Sequence, residues 1–176
     1  MRITGGQARG RAVKLRQPRG VRPTSSRVRE AVFSFVGHDL EGQSVLDAFG
    51  GSGIMAMEAW SRGAHVVVVE RHASTAKSIG LAVREVGAEV TVTRADVLSW
   101  IGGQTAFDGI FADPPYALDP EPILSALAPY ARRWLVMEVD EKTMLPPGCH
   151  GLEIDRDRVF GGTRIGVYRR SEGDVP

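Results

Sequence analysis

A single cysteine, Cys149, rules out an intramolecular disulfide, and it leaves no cysteine pair for a zinc site. The four histidines, His38, His65, His72 and His150, are scattered along the chain and read as surface or packing residues, so no metal is expected. No apolar run approaches the ~18 residues of a membrane span. The opening Met1-Arg2-Ile3-Thr4-Gly5-Gly6 lacks the apolar stretch of a secretory signal, which points to a cytoplasmic protein with no membrane partner. Neither an internal repeat nor a low-complexity segment is present. Acidic residues are nearly missing from the first thirty positions. Nine basic side chains (Arg2, Arg9, Arg11, Lys14, Arg16, Arg19, Arg22, Arg27, Arg29) face one acid, Glu30, giving +8 there and −7 over the remainder. A basic end on an acidic body suits a polyanionic partner held mainly by that end, or else a solvated basic terminus.

What remains, in 176 residues with 43% hydrophobic content, is enough for one compact core. Residues 3–4 and 12–15 read as short strands around a Gly/Arg-rich turn, a β-hairpin. Pro18, Gly20 and Pro23 break regular structure, and Thr24 then caps a helix over 25–36 with Val28, Val32 and Phe35 on its buried face. From residue 44 short apolar strands alternate with helical segments. Strands are predicted at 44–46, 65–69, 90–93, 107–112, 134–138, 151–158 and 163–168, and helices at 54–61, 73–86, 97–101 and 120–128. The continuous run Val66-Val67-Val68-Val69 fits a strand covered on both faces. The pattern implies a doubly wound, Rossmann-like α/β sheet with ligands at the carboxyl ends of its strands, closed by a terminal antiparallel hairpin. Residues 1–36 form a basic extension and 37–176 the main domain.

Val45-Leu46-Asp47-Ala48-Phe49-Gly50-Gly51-Ser52-Gly53 joins the first sheet strand to a helix. Gly51 and Gly53 permit a tight turn and close approach of backbone to a ligand, and Gly51-Ser52-Gly53-Ile54-Met55-Ala56 satisfies the G-x-G-x-x-G/A dinucleotide pattern. Asp47 sharpens the reading: a carboxylate at the strand end repels a pyrophosphate but suits a ligand with a cationic amino-acid part, such as S-adenosylmethionine. Glu70, with Arg71 beside it, ends the next strand about where an acid accepts from ribose hydroxyls. Asp96, before Val97, follows the third strand and could take an adenine amino group. Ser52 is no nucleophile elbow, because Ile54 stands where the second glycine of G-x-S-x-G belongs. No phosphate-cradling G-x-x-x-x-G-K-[ST] occurs.

The most informative stretch is Asp108-Gly109-Ile110-Phe111-Ala112-Asp113-Pro114-Pro115-Tyr116. A buried strand runs into an acid, two prolines and an aromatic. The prolines fix the turn and cannot donate hydrogen bonds. An aromatic amine is a weak nucleophile because its lone pair is delocalised into the ring. Two acceptors on its hydrogens, the Asp113 carboxylate and the Pro114 carbonyl, would favour a pyramidal nitrogen and aim that lone pair. Pro115 stiffens the loop, and Tyr116 offers a face for a base extruded from its stack. Three readings stand beside a methyltransferase of this kind: a DNA adenine-N6 or cytosine-N4 methyltransferase, a nicotinamide-dependent oxidoreductase, and a non-catalytic RNA-binding factor.

The combination of Asp47-Ala48-Phe49-Gly50-Gly51-Ser52-Gly53 with Asp113-Pro114-Pro115-Tyr116 resembles the class I amino-methyltransferases. Arg2-Ile3-Thr4-Gly5-Gly6, Arg9-Gly10-Arg11, Arg22-Pro23-Thr24 leading to Arg27-Val28-Arg29-Glu30-Ala31-Val32-Phe33, and Glu58-Ala59-Trp60-Ser61-Arg62-Gly63-Ala64 narrow this. Together they are similar to the RsmD family of bacterial 16S rRNA guanine-N2 methyltransferases. That resemblance implies a seven-stranded methyltransferase fold, S-adenosylmethionine as cofactor, and a monomer acting on one guanine of 16S rRNA within an assembled small ribosomal subunit. Carried across, Asp47, Phe49, Gly51 and Gly53 build the cofactor loop, Glu70 and Arg71 flank the ribose, and Asp96 with Val97 holds the adenine. Asp113, Pro114, Pro115 and Tyr116 form the base site; Arg9, Arg11, Arg22, Pro23, Thr24 and Arg27 meet the RNA. Two departures stand out. The family usually has alanine at Gly50, whose replacement implies a looser loop, and an Asn common late in the second helix is missing from Leu81-Ala82-Val83-Arg84-Glu85.

Overall fold

The computed structural model describes residues 1–15 and 24–171. Its centre is one eight-stranded sheet in the order β3-β2-β1-β4-β5-β8-β7-β6. The strands are β1 (Ser44–Asp47), β2 (His65–Val69), β3 (Val90–Thr93), β4 (Phe107–Ala112), β5 (Ala131–Asp140), β6 (Gly148–Cys149), β7 (Leu152–Phe160) and β8 (Thr163–Arg170). The first five run parallel, and β8 then enters antiparallel between β5 and β7. Seven strands match the expected set, including the terminal antiparallel hairpin. The eighth, β6, is a two-residue edge pairing on Leu152 and Glu153.

Side-chain alternation sorts the core into two faces. Val45, Val66, Val68, Phe111, Val136 and Val167 face one side. There they meet α1 (Ser26–Val36), α2 (Ile54–Ser61) and α3 (Ala73–Val86). Leu46, Val69, Ile110, Ala112, Leu135 and Met137 face α4 (Val97–Trp100) and α5 (Pro120–Leu127) on the other. Both sheet faces are therefore covered, as the valine run requires.

Several local expectations are revised. Ser25, not Thr24, caps α1: its hydroxyl accepts from Val28 N–H at 3.3 Å. Phe33 replaces Phe35 on the buried face, since only Phe33 meets Phe111, edge-on at 5.6 Å between ring centres. β5 is longer than 134–138: β8 continues pairing to Asp140, and Ala131 at the other end pairs with Phe107 of β4. α4 stops at Trp100 and passes into a 3-10 turn.

The amino-terminal hairpin is a single antiparallel bridge, Arg2 to Ala12, extended by backbone bonds from Ile3 N–H to Arg11 O at 3.1 Å and from Val13 N–H to Met1 O at 2.8 Å. Ile3, Ala8 and Val13 are buried in the same cluster as α1, α2 and the sheet.

Candidate active site

A doubly wound sheet opens a crevice where its strand order reverses, here between β1 and β4 with β2 alongside. The carboxyl ends of these three neighbours carry Asp47, Asp113 and Glu70. The structure thus brings together acids from three separate stretches of sequence.

The loop after β1 is fixed by backbone bonds from Ala48 N–H to Phe111 O and from Gly50 N–H to Val69 O, both 2.8 Å. Gly51 and Gly53 have φ of 51° and 79°, a left-handed backbone that favours glycine. Gly53 leads directly into α2, and Phe49 is half-buried beside it. At Gly50 a methyl group would lie 2.8 Å from Val68 Cγ2 and 3.1 Å from Ile79 Cδ1, so alanine would require these side chains to shift.

Glu70 is buried, and its two oxygens accept from Gly51 N–H at 3.0 Å and His72 N–H at 2.7 Å. It therefore shapes the glycine loop, and each oxygen keeps a lone pair for a ligand. Arg71 points outward: it is exposed, with Nε donating to His72 Nε2 at 3.2 Å. Asp96 has a local occupation. One oxygen caps α4, accepting from Leu98 N–H at 3.0 Å and Ser99 N–H at 3.4 Å, while Val97 is buried beside it.

Asp47 and Asp113 are the electrostatic centre. Burial, then the charge of Asp113, pushes the Asp47 carboxyl up to about 8; Glu70 adds to this, and the backbone N–H groups of Ala56 and Phe49 oppose it. Burial pushes Asp113 up to about 7. Two acids held this way want a cation or hydrogen-bond donors. Among the described residues none donates to the Asp113 carboxylate or to the Pro114 carbonyl, whereas the Pro115 carbonyl takes Leu118 N–H at 2.9 Å. Two acceptors that no described residue engages therefore stand side by side in sequence, at a strand end and on a rigid turn. Tyr116 is 44% exposed, its hydroxyl 3.3 Å from Thr163 Oγ1. The described residues contain no group of three or more His, Cys, Asp or Glu that could hold a metal ion. No helix among them is long and apolar enough to cross a membrane.

The basic residues lie elsewhere. Arg9 and Arg11 are exposed and line a groove of about 490 Å³ with Trp60, Val86 and Gly87. Those are the far ends of α2 and α3, and α3 alone is ~20 Å long at 1.5 Å per residue. Arg9 and Arg11 are therefore not gathered at Asp47, Glu70 and Asp113. Arg27 is exposed on α1, and Thr24 is buried with its carbonyl accepting from Arg29 Nη1 at 2.6 Å. Arg22 and Pro23 fall outside the described residues.

Sequence reasoning missed the group that ties this arm to the domain. Glu58 on α2 is fully buried. It accepts from Arg29 Nε at 2.9 Å, from Arg62 Nη1, and from Thr4 N–H and Oγ1, each at 2.9 Å. Arg29 also donates to Arg2 O at 2.9 Å, and the Arg62 guanidinium lies 3.9 Å over the Phe33 ring. Ser61 Oγ donates to Gly5 O at 2.7 Å and accepts from Ala8 N–H at 2.9 Å. The i,i+4 spacing of Glu58 and Arg62 was the one local signal; the other partners are more than 25 residues away.

Comparison with known proteins places this geometry. The family model described as Conserved hypothetical protein 95 matches residues 1–169. Ribosomal RNA small subunit methyltransferase D of Escherichia coli (strain K12) is 34% identical over 181 residues, covering 97% of this chain and 90% of that protein. The YlbH protein of Bacillus subtilis (strain 168) is 30% identical over 182 residues, covering 97% and 99%. The solved structure of the yhhF protein from Escherichia coli superposes with a TM-score of 0.84 at 27% identity, covering 97% of this chain and 98% of that one.

Proposed function

The chain belongs to the RsmD family of methyltransferases, and from that premise we propose that it moves a methyl group from S-adenosylmethionine to the exocyclic N2 amine of a guanine in 16S rRNA. The observation that carries the proposal is that no described residue donates to the Asp113 carboxylate or the Pro114 carbonyl, beside the buried Asp47 carboxyl that burial and Asp113 push up to about 8. Relatives named for small-subunit ribosomal RNA support the polymer; the choice of guanine N2 rests on the family resemblance.

The donor set fits the cofactor. Asp47 faces the site as a carboxylate that burial disfavours and an ammonium group would restore. Glu70 offers its remaining lone pairs to ribose hydroxyls, Asp96 its second oxygen to the adenine amine, and Phe49 with Val97 an apolar lining. When bound, S-adenosylmethionine supplies an electrophilic methyl on a sulfonium. Asp113 and Pro114 hold the two amino hydrogens of the guanine, which turns the nitrogen lone pair toward the methyl carbon. Tyr116 bears the flat base, and Pro115 keeps the loop from yielding. A methylated amine would keep one amino hydrogen fewer, so one proton would need an acceptor. Asp113, pushed up to about 7, is suited to take it. Residues 1–36 form the docking arm for RNA in a small-subunit particle, with Arg9, Arg11, Arg22 and Arg27 on phosphates, and Pro23 and Thr24 toward the base. Arg9 and Arg11 stand far from Asp113, which suits a large substrate that spans the molecule.

Cofactor binding should depend on pH with a definite sign. Both acids have raised affinity for protons in the free protein, so they are partly protonated at neutral pH. A cationic ligand needs them ionised, and binding then releases protons. Calorimetry should find S-adenosylmethionine affinity rising with pH until the values of about 7 for Asp113 and about 8 for Asp47 are passed, by up to ~10-fold per unit for each proton displaced. Asp47→Asn should weaken binding and flatten the slope; a flat profile in the parent protein would remove the cation role of Asp47.

The proposal is tested by incubating the protein and labelled S-adenosylmethionine with small subunits, free 16S rRNA or duplex DNA, and digesting the product to nucleosides. The expected result is label in N2-methylguanosine from the ribosomal substrates. Label in N6-methyladenine or N4-methylcytosine of DNA would overturn it.

A further inference from the structure

The β7–β8 hairpin has no part in the base site as described so far, yet its tip reaches that site. Thr163 opens β8, is 5% exposed, and meets the Tyr116 hydroxyl at 3.3 Å across 47 residues of sequence. No other described residue makes a hydrogen bond to that hydroxyl. Tyr116 itself is 44% exposed on a loop. A half-exposed ring held only at its Cα end can swing through its rotamers. A hydrogen bond at the far end removes that freedom.

Thr163 is well placed to serve as a fixed point. It pairs with Asp140 of β5 and with Phe160 across the hairpin. Glu141 N–H donates to Gly162 O at 3.2 Å, locking the tip to the end of β5. Gly161 and Gly162 have φ of 53° and 89°, so the chain reverses tightly and delivers Thr163 at the first strand position. Burial, followed by the nearby charges of Glu138, Asp113 and Asp140, raises the Tyr116 phenol above its ordinary pKa, against the opposing pull of Thr163. The phenol therefore stays protonated, and the tether persists at neutral pH.

We propose that Thr163 is a positioning residue, whose hydroxyl holds the Tyr116 ring as one wall of the slot that receives the target base beside Asp113. The inference rests on the base-site reading above and adds the hairpin to that site. The tether acts on orientation of the acceptor, so it should leave cofactor binding alone.

The test uses the full chain as Thr163→Val, Thr163→Ser, Tyr116→Phe and the Val/Phe double variant. With only three tyrosines in the sequence, ring-labelled tyrosine gives a resolvable NMR spectrum. Thr163→Val should shift or broaden the Tyr116 ring signal and leave those of Tyr130 and Tyr168 in place. In steady-state methyl transfer to the RNA substrate, Thr163→Val and Tyr116→Phe should each lower kcat/KM by ~2- to 10-fold, the range of one net hydrogen bond. S-adenosylmethionine Kd should not change. Thr163→Ser should recover most of the rate, and the double variant should be no worse than the poorer single one. An unmoved Tyr116 signal in Thr163→Val would overturn the tether. Unchanged transfer in Thr163→Val, or multiplying effects in the double variant, would overturn its role. A parent protein that transfers no methyl to guanine would sink the functional reading instead, with the NMR result still standing.

Discussion

Replacing Asp113 by alanine should reduce methyl transfer by at least ~10²- to 10³-fold, the loss typical when one preorganised electrostatic contact to a reacting group is deleted. The fold should survive. No described residue donates a hydrogen bond to Asp113, and its burial already disfavours the charged form, so its loss strands no partner among the described residues. Asp113→Asn should fall between the two, since an amide oxygen can still accept but carries no charge. Melting temperature serves as the control and should stay near that of the parent. Transfer above a tenth of the parent rate in Asp113→Ala, with the cofactor saturating, would show that the carboxylate does not hold the reacting amine.

The second large effect concerns stability and arises far from the reacting groups. Glu58→Ala would leave Arg29 and Arg62, 4% and 6% exposed, buried without their shared carboxylate. Breaking a buried ion pair from one side costs about 3–5 kcal/mol, a large part of the ~5–15 kcal/mol that holds an ordinary domain together. Denaturant unfolding should show that loss. The first amides to lose exchange protection should be Ile3 and Val13, whose hydrogen bonds belong to the hairpin that Glu58 anchors through Thr4. Glu58→Gln should be milder, because its amide oxygen can still serve one guanidinium. A midpoint close to that of the parent for Glu58→Ala would mean the two arginines find other acceptors, and the arm is not fastened through this residue.

These two residues also mark what the sequence could and could not disclose. Asp113 was legible because its chemistry is local: strand, acid, two prolines and a ring follow one another in nine residues. The bounds of β2, β3, β4, α2 and α3 were legible for a similar reason, since alternating or helical periodicity is written in the segment itself. Glu58 was visible only inside a stretch resembling other proteins. Its partners come from Thr4, Arg29 and Arg62, and no pattern within α2 states that an acid there is buried. The cap of α1 turned on which of two adjacent hydroxyl residues enters the first turn, a choice made by backbone geometry that both residues permit. The reach of β5 was set by its neighbours, β4 at Ala131 and β8 as far as Asp140. Asp96 was legible as a candidate ligand acceptor but not as the cap of α4, for which one of its oxygens accepts from Leu98 and Ser99 N–H. The closeness of Val68 and Ile79 to Gly50 was not legible, since it comes from β2 and α3 and not from the loop. Thr163 gave no signal at all, being joined to Tyr116 only by the fold.

The claim beneath all of this is spatial, and a crystal structure with S-adenosylhomocysteine bound tests it most directly. The ammonium should lie on Asp47, and the sulfur should face a gap between the Asp113 carboxylate and the Pro114 carbonyl wide enough for one flat ring against Tyr116. If the product sits with its sulfur turned from those two oxygens, or if side chains close that gap, methylation of a base amine at this site is contradicted.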